Sequence, residues 1–144
     1  MRQLYFRVLK RGPETGGDLM GLFNVDSLVM CYANIDAAKR WWIEVFECKQ
    51  VELPTDWDDT LPSDVALQLT GDDEPTILLC DQREVQKAGF ERANDHPLMF
   101  AGRLKKAHEH LASKGVAPGP IQIGGKRFFE IHDPEGNVVE ICEE

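Results

Sequence analysis

The chain has 144 residues, of which 42% are hydrophobic and 28% charged, with a formal net charge of −9 at pH 7. A chain of this length buries roughly two-thirds of its unfolded surface, so it needs no disulfide scaffold, and its composition is that of a folded globule. The acidic balance repels phosphate backbones and anionic membranes, and no apolar run reaches the roughly 20 residues of a membrane span. Arg7 interrupts any signal-peptide core, so the expectation is a cytoplasmic protein with neither nucleic acid nor membrane as partner.

Residues 1–23, broken by Gly12-Pro13 and Gly16-Gly17, read as an N-terminal extension with no assigned role. Residues 28–33 are a short apolar run of strand formers. Asn34 is placed to cap a helix over 36–46 that ends in Trp41, Trp42, Val45 and Phe46. One of the adjacent tryptophans is expected to pack on a sheet and the other to face outward or toward a partner chain. Strands over 50–53, 65–70 and 76–80 follow, with a polar loop over 54–64. Trp57, among Asp56, Asp58 and Asp59 in that loop, is a candidate lid or ligand platform.

Residues 82–94 form a link that is expected to be partly helical. Beyond it come a strand over 97–101 and a helix over 104–114, stopped by Gly115. Pro118, Gly119 and Pro120 loosen the next strand, and the last two strands are predicted over 127–132 and 137–143. His108 and His110 stand two apart on the second helix, do not share a face, and are expected on the surface. Cys31, Cys48, Cys80 and Cys142 form no CxxC pair and fall in apolar segments, so they are expected as buried thiols.

This order of elements occurs twice. Asp26-Ser27-Leu28-Val29-Met30-Cys31 reappears 69 residues on as Asp95-His96-Pro97-Leu98-Met99-Phe100. The strands that end in Cys80 reappear 62 residues on, ending in Cys142, with Leu67-Gln68-Leu69 beside Phe129-Glu130-Ile131. Each copy reads β-α-β-β-β, with modules at about 24–82 and 95–144. Neither buries a sheet face alone, so the expectation is a single α+β domain over 24–144: a curved mixed sheet around a cleft, with the helices on its outer face.

The last hairpin carries the strongest chemical signal. Asp133-Pro134-Glu135-Gly136 has the residue preferences of a type I turn closed by a left-handed glycine. That turn pairs His132 with Val138, Ile131 with Val139, Glu130 with Glu140, Phe129 with Ile141 and Phe128 with Cys142. Phe129, Ile131, Val139 and Ile141 then share one face, while Glu130 and Glu140 stand directly opposite each other on the other face. Two facing carboxylates repel, which is tolerated in open water, with a shared proton or with a cation between them.

The tail from Phe128 through Ile141 resembles the closing motif of the glyoxalase / bleomycin-resistance / extradiol-dioxygenase (vicinal oxygen chelate) superfamily. Residues 26–46 are similar to that family's opening strand and helix, and residues 96–116 to the start of its second module. The resemblance implies a metal ligand on the first and last strand of each module. His96 and Glu140 fill two of these positions, but Ser27 stands where a histidine is usual and Leu78 where a glutamate is common. The metal set is therefore incomplete, and Ser27, Glu130 and Trp57 remain as candidate substrate-binding residues. Glu140 is also the candidate catalytic proton carrier.

Two functions follow from the resemblance. The first is a small-molecule-binding protein that lacks the full family metal site, for which the acidic surface suits a cationic ligand. The alternative is a divalent-metal-dependent lyase, isomerase or dioxygenase with a rearranged site, in which the metal would polarise substrate oxygens. No cofactor is fixed by the pattern, and a divalent metal ion is the one the alternative needs. The family also implies a homodimer.

Overall fold

The computed structural model describes residues 21–92, 94 and 96–144, so most of the predicted extension lies outside the described residues. The first module contains β1 (Leu28–Tyr32), α1 (Ile35–Phe46), β2 (Lys49–Val51), β3 (Val65–Gln68) and β4 (Ile77–Asp81). A short α2 (Gln82–Lys87) supplies the helical part of the link. The second module contains β5 (Leu98–Ala101), α3 (Leu104–Ser113), β6 (Gln122–Gly124), β7 (Lys126–His132) and β8 (Val138–Glu143). This is the expected α+β fold of two β-α-β-β-β modules. Its strands are divided between two four-stranded mixed sheets, ordered β1-β4-β3-β2 and β5-β8-β7-β6.

Local chemistry sets the ends of α1. The Asn34 side chain accepts from the Ala37 N–H at 3.1 Å, which caps one of the helix's unpaired amides. Ala38, Trp42, Val45 and Phe46 fall on one helical stripe and are buried. Trp42 is fully buried, whereas Trp41 is half-buried against the same core. In α3 the stripe is Leu104, Ala107 and Leu111, and Gly115 follows with φ +80°.

Both helical stripes meet the inner faces of both sheets in one core, which also takes in Phe129, Ile131, Val139 and Ile141. Leu22, Phe23 and Val25, which precede β1, are buried in that core as well. His108 and His110 are not surface residues. Each flanks the buried stripe of α3, and their Nε2 atoms meet the carbonyls of Gly119 at 2.9 Å and Val45 at 3.0 Å.

A buried polar chain joins the modules. The Tyr32 hydroxyl donates to Asp133 Oδ2 at 2.7 Å and accepts from Trp42 Nε1 at 2.9 Å. Asp133 also accepts from the N–H of Glu135 and of Asn137 and from Asn137 Nδ2, so its carboxylate shapes the β7–β8 turn. The Glu135 carboxylate reaches back to the N–H groups of Ala33 and Asn34 at the start of α1. The turn thus holds its own hairpin and the other module's first strand together.

Burial raises the Tyr32 hydroxyl well above its ordinary 10.0; the Trp42 hydrogen bond opposes this and the Asp133 carboxylate adds to it. Burial likewise pushes the Cys48 thiol from 9.0 up to about 12. Both groups keep their protons in the folded state at a pH where the unfolded chain loses them. Their contribution is therefore complete below pH 9 and is lost as pH rises, for Cys48 between 9 and about 12 and for Tyr32 from 10 upward. Urea titrations are expected to show a loss approaching about 1.4 kcal/mol per pH unit from Cys48 above pH 9, with a similar further slope from Tyr32 above pH 10. Cys48→Ala should make that decline shallower.

Candidate functional site

The hairpin register is the one the turn predicts: His132 faces Val138, Ile131 Val139, Glu130 Glu140, Phe129 Ile141 and Phe128 Cys142. The turn closes as expected, with Gly136 at φ +83° and its N–H donating to the Asp133 carbonyl at 3.0 Å. The inner face is fully buried. On the outer face Phe128, Glu130, Val138, Glu140 and Cys142 are half-buried and His132 is exposed. Leu98 and Phe100 of β5 pair with Glu140 and Cys142 in register, and both are half-buried. Two carboxylates thus sit in an apolar frame with one side open.

Strand pairing also fixes which residues correspond between the modules. Val29 pairs with Leu78 as Leu98 pairs with Glu140, so Leu78 and Glu140 are equivalent, as the repeat implies. The third strand departs from the expected alignment. Leu79 faces Val65 and Ile141 faces Phe129, so the counterpart of Phe129 is Val65, not Leu67. The cause is the β3–β4 connection, which is two residues longer than its partner. The facing pair Glu130–Glu140 is consequently matched in the first sheet by Ala66–Leu78.

The two outer faces differ in more than charge. The first is sealed by its own chain. Trp57 is 6% exposed and packs in a cluster with Cys31, Ala66, Leu78, Cys80 and Val85, joined by Val29, Val51, Leu53, Leu61 and Phe90. Leu53, Trp57 and Leu61 turn inward from a loop that looks polar in sequence.

Arg92 latches this cover. Its Nη1 lies 3.2 Å from both carboxylate oxygens of Asp64 and 3.0 Å from Cys80 Sγ, and its Nη2 donates to the Asp59 carbonyl. The side chains of Arg92 and Asp64 are 7% and 0% exposed, so this is a buried ion pair. Sequence reading missed it, because a single arginine in a linker has no signature.

The candidate residues therefore do not converge. Ser27 and His96 are exposed at the entrances to β1 and β5, and Trp57 is buried on the first face. Glu130 and Glu140 face each other on the second. Glu140 N donates to the Pro97 carbonyl at 2.9 Å, which puts His96 next in chain to Glu140's neighbour. Among the described residues no three of His, Cys, Asp and Glu are grouped to hold a metal ion. The donor set at the family positions does not fit a metal: Leu78 has no donor atom and is fully buried in the cluster that contains Trp57. A groove of about 800 Å³ opens at the turn end of the second sheet, lined by Trp41, Glu44, Val116, His132 and Pro134 among others.

Solved structures share this arrangement over most of their length. A lactoylglutathione lyase from Agrobacterium tumefaciens superposes with a TM-score of 0.62 at 19% identity, covering 80% of this chain and 89% of its own. A member of the glyoxalase/bleomycin resistance protein/dioxygenase superfamily from Sphaerobacter thermophilus gives 0.60 at 17% identity, covering 82% and 94%. The chain has the fold of that superfamily. A glyoxalase/bleomycin resistance protein/dioxygenase from Nocardioides shares it at a TM-score of 0.61 and 13% identity, covering 81% and 80%. No family model and no curated protein matches the chain. At these identities the likeness fixes the glyoxalase/bleomycin-resistance architecture and leaves the chemistry to the residues on the sheet faces. No helix among the described residues is long and apolar enough to cross a membrane.

Proposed function

We propose that this chain binds a small organic cation on the outer face of its second sheet. The observation that carries the reading is the asymmetry of the two faces. One is filled by the chain's own loop and latched by Arg92, while the other leaves Glu130 and Glu140 half-buried among Phe128, Val138, Leu98 and Phe100. Apolar walls with a few converging polar groups are what small ligands select, and a cation between two facing carboxylates relieves their repulsion. The net charge of −9 draws cations toward the surface at low salt.

The metal-dependent alternative is less well supported, because Leu78 replaces one ligand and Ser27 another.

The test sets an aromatic cation, ethidium, against an aromatic anion, anilinonaphthalene sulfonate, by calorimetry and thermal shift. Saturable binding of the cation at one site per chain is expected, with Glu140→Gln and Glu130→Gln each weakening it about tenfold, equivalent to about 1.4 kcal/mol. Equal binding of the anion, or no change in either variant, would overturn the proposal.

A further inference from the structure

We propose that Cys31 and Cys80 form a redox-active dithiol that closes reversibly to a disulfide between β1 and β4. The two residues are register partners on adjacent parallel strands. Neighbouring strands lie about 4.8 Å apart, and register partners direct their side chains to the same face. That spacing falls inside the roughly 4.4–6.8 Å Cα separation a disulfide requires. Both side chains belong to the sealed cluster on the first face, with Cys31 6% exposed and Cys80 fully buried.

The second module provides an internal contrast. There the equivalent positions are Phe100 and Cys142, so Cys142 has no cysteine opposite it. Cys48 is engaged with the Trp42 carbonyl at 3.2 Å.

Both sulfurs also meet Arg92: Cys80 Sγ accepts from Arg92 Nη1 at 3.0 Å, and Cys31 Sγ donates to the Arg92 carbonyl at 3.9 Å. With a hydroperoxide as oxidant, one of the two sulfurs, as the thiolate, takes one peroxide oxygen, the O–O bond breaks, and a sulfenic acid and hydroxide result. The other sulfur then attacks it, the S–O bond breaks, and the displaced hydroxide takes up that second thiol's proton. Two thiols and one hydrogen peroxide give one disulfide and two waters.

Because Arg92 also holds Asp64 and the Asp59 carbonyl, this chemistry occurs at the latch of the loop that covers the first sheet. It does not depend on what binds to the second.

The test treats the native protein with hydrogen peroxide, alkylates it in denaturant and maps the peptides by mass. A loss of about 2 Da is expected, with a single cross-linked peptide joining Cys31 to Cys80 that dithiothreitol reverses. A variant with Cys48→Ala and Cys142→Ala should give the same product, and Cys31→Ser should give none. Alkylation of all four cysteines after oxidation, or a link through Cys48 or Cys142, would overturn the proposal; the wild-type map is decisive by itself if a variant fails to fold.

Discussion

Replacing Arg92 with methionine is expected to destabilise the protein by about 3–5 kcal/mol, the usual cost of removing one partner from a buried ion pair. The magnitude follows from what remains. Asp64 has a fully buried side chain; without Arg92 it retains the Leu61 N–H at 2.7 Å but loses its cation, and a charge in that setting is costly. Cys80 Sγ and the Asp59 carbonyl lose a donor in the same substitution. Urea unfolding measures the total. Trp57 emission gives a local readout, because a released cover admits water to an indole that is 6% exposed in the intact protein. Combining Arg92→Met with Asp64→Leu should recover most of the loss, since the pair is then replaced by apolar groups. A cost below about 1 kcal/mol for Arg92→Met would show that the first face is held shut by Trp57 and its apolar neighbours alone.

Asp133→Ala is expected to cost about 3–4 kcal/mol, because one buried carboxylate serves Tyr32, two backbone amides of the turn and Asn137 Nδ2. Its loss leaves the Tyr32 hydroxyl buried without its acceptor and releases the turn whose Glu135 caps the start of α1. Tyr32→Phe should cost less, about 1–2 kcal/mol, since only Trp42 Nε1 and one Asp133 bond are affected. The double variant should fall short of the sum by about 1 kcal/mol or more, the mark of residues in one network. Strict additivity would mean that Asp133 acts on the turn alone and does not join the modules through Tyr32.

How much of this was legible in the sequence differs from element to element. The β7–β8 hairpin could be read to the residue, because Asp133-Pro134-Glu135-Gly136 fixes the turn and the turn fixes the register. The cap at Asn34 and the stop at Gly115 are equally local. The repeat in the sequence aligns β3 with β7 two residues away from the alignment that strand pairing gives. Both strands alternate, so a slip of two preserves the apolar pattern and only the length of the β3–β4 loop decides it.

The candidate site was only partly visible. The facing glutamates followed from the register, and the missing ligands at Ser27 and Leu78 were implied only by the family resemblance. What the sequence by itself determined was thus whatever depends on near neighbours: turn type, capping, strand alternation, the duplication, and through them the α+β fold. The tertiary structure alone decided which sheet face is open, because that depends on loop 54–64 folding back over β3 and β4. Leu53, Trp57 and Leu61 are surrounded by polar residues in the chain and by apolar ones in space. Arg92 reaches Asp64 across 28 residues and Cys80 across 12. Burial and pairing over such distances are properties of the packed chain, set by the sum of many contacts, and no local pattern records them.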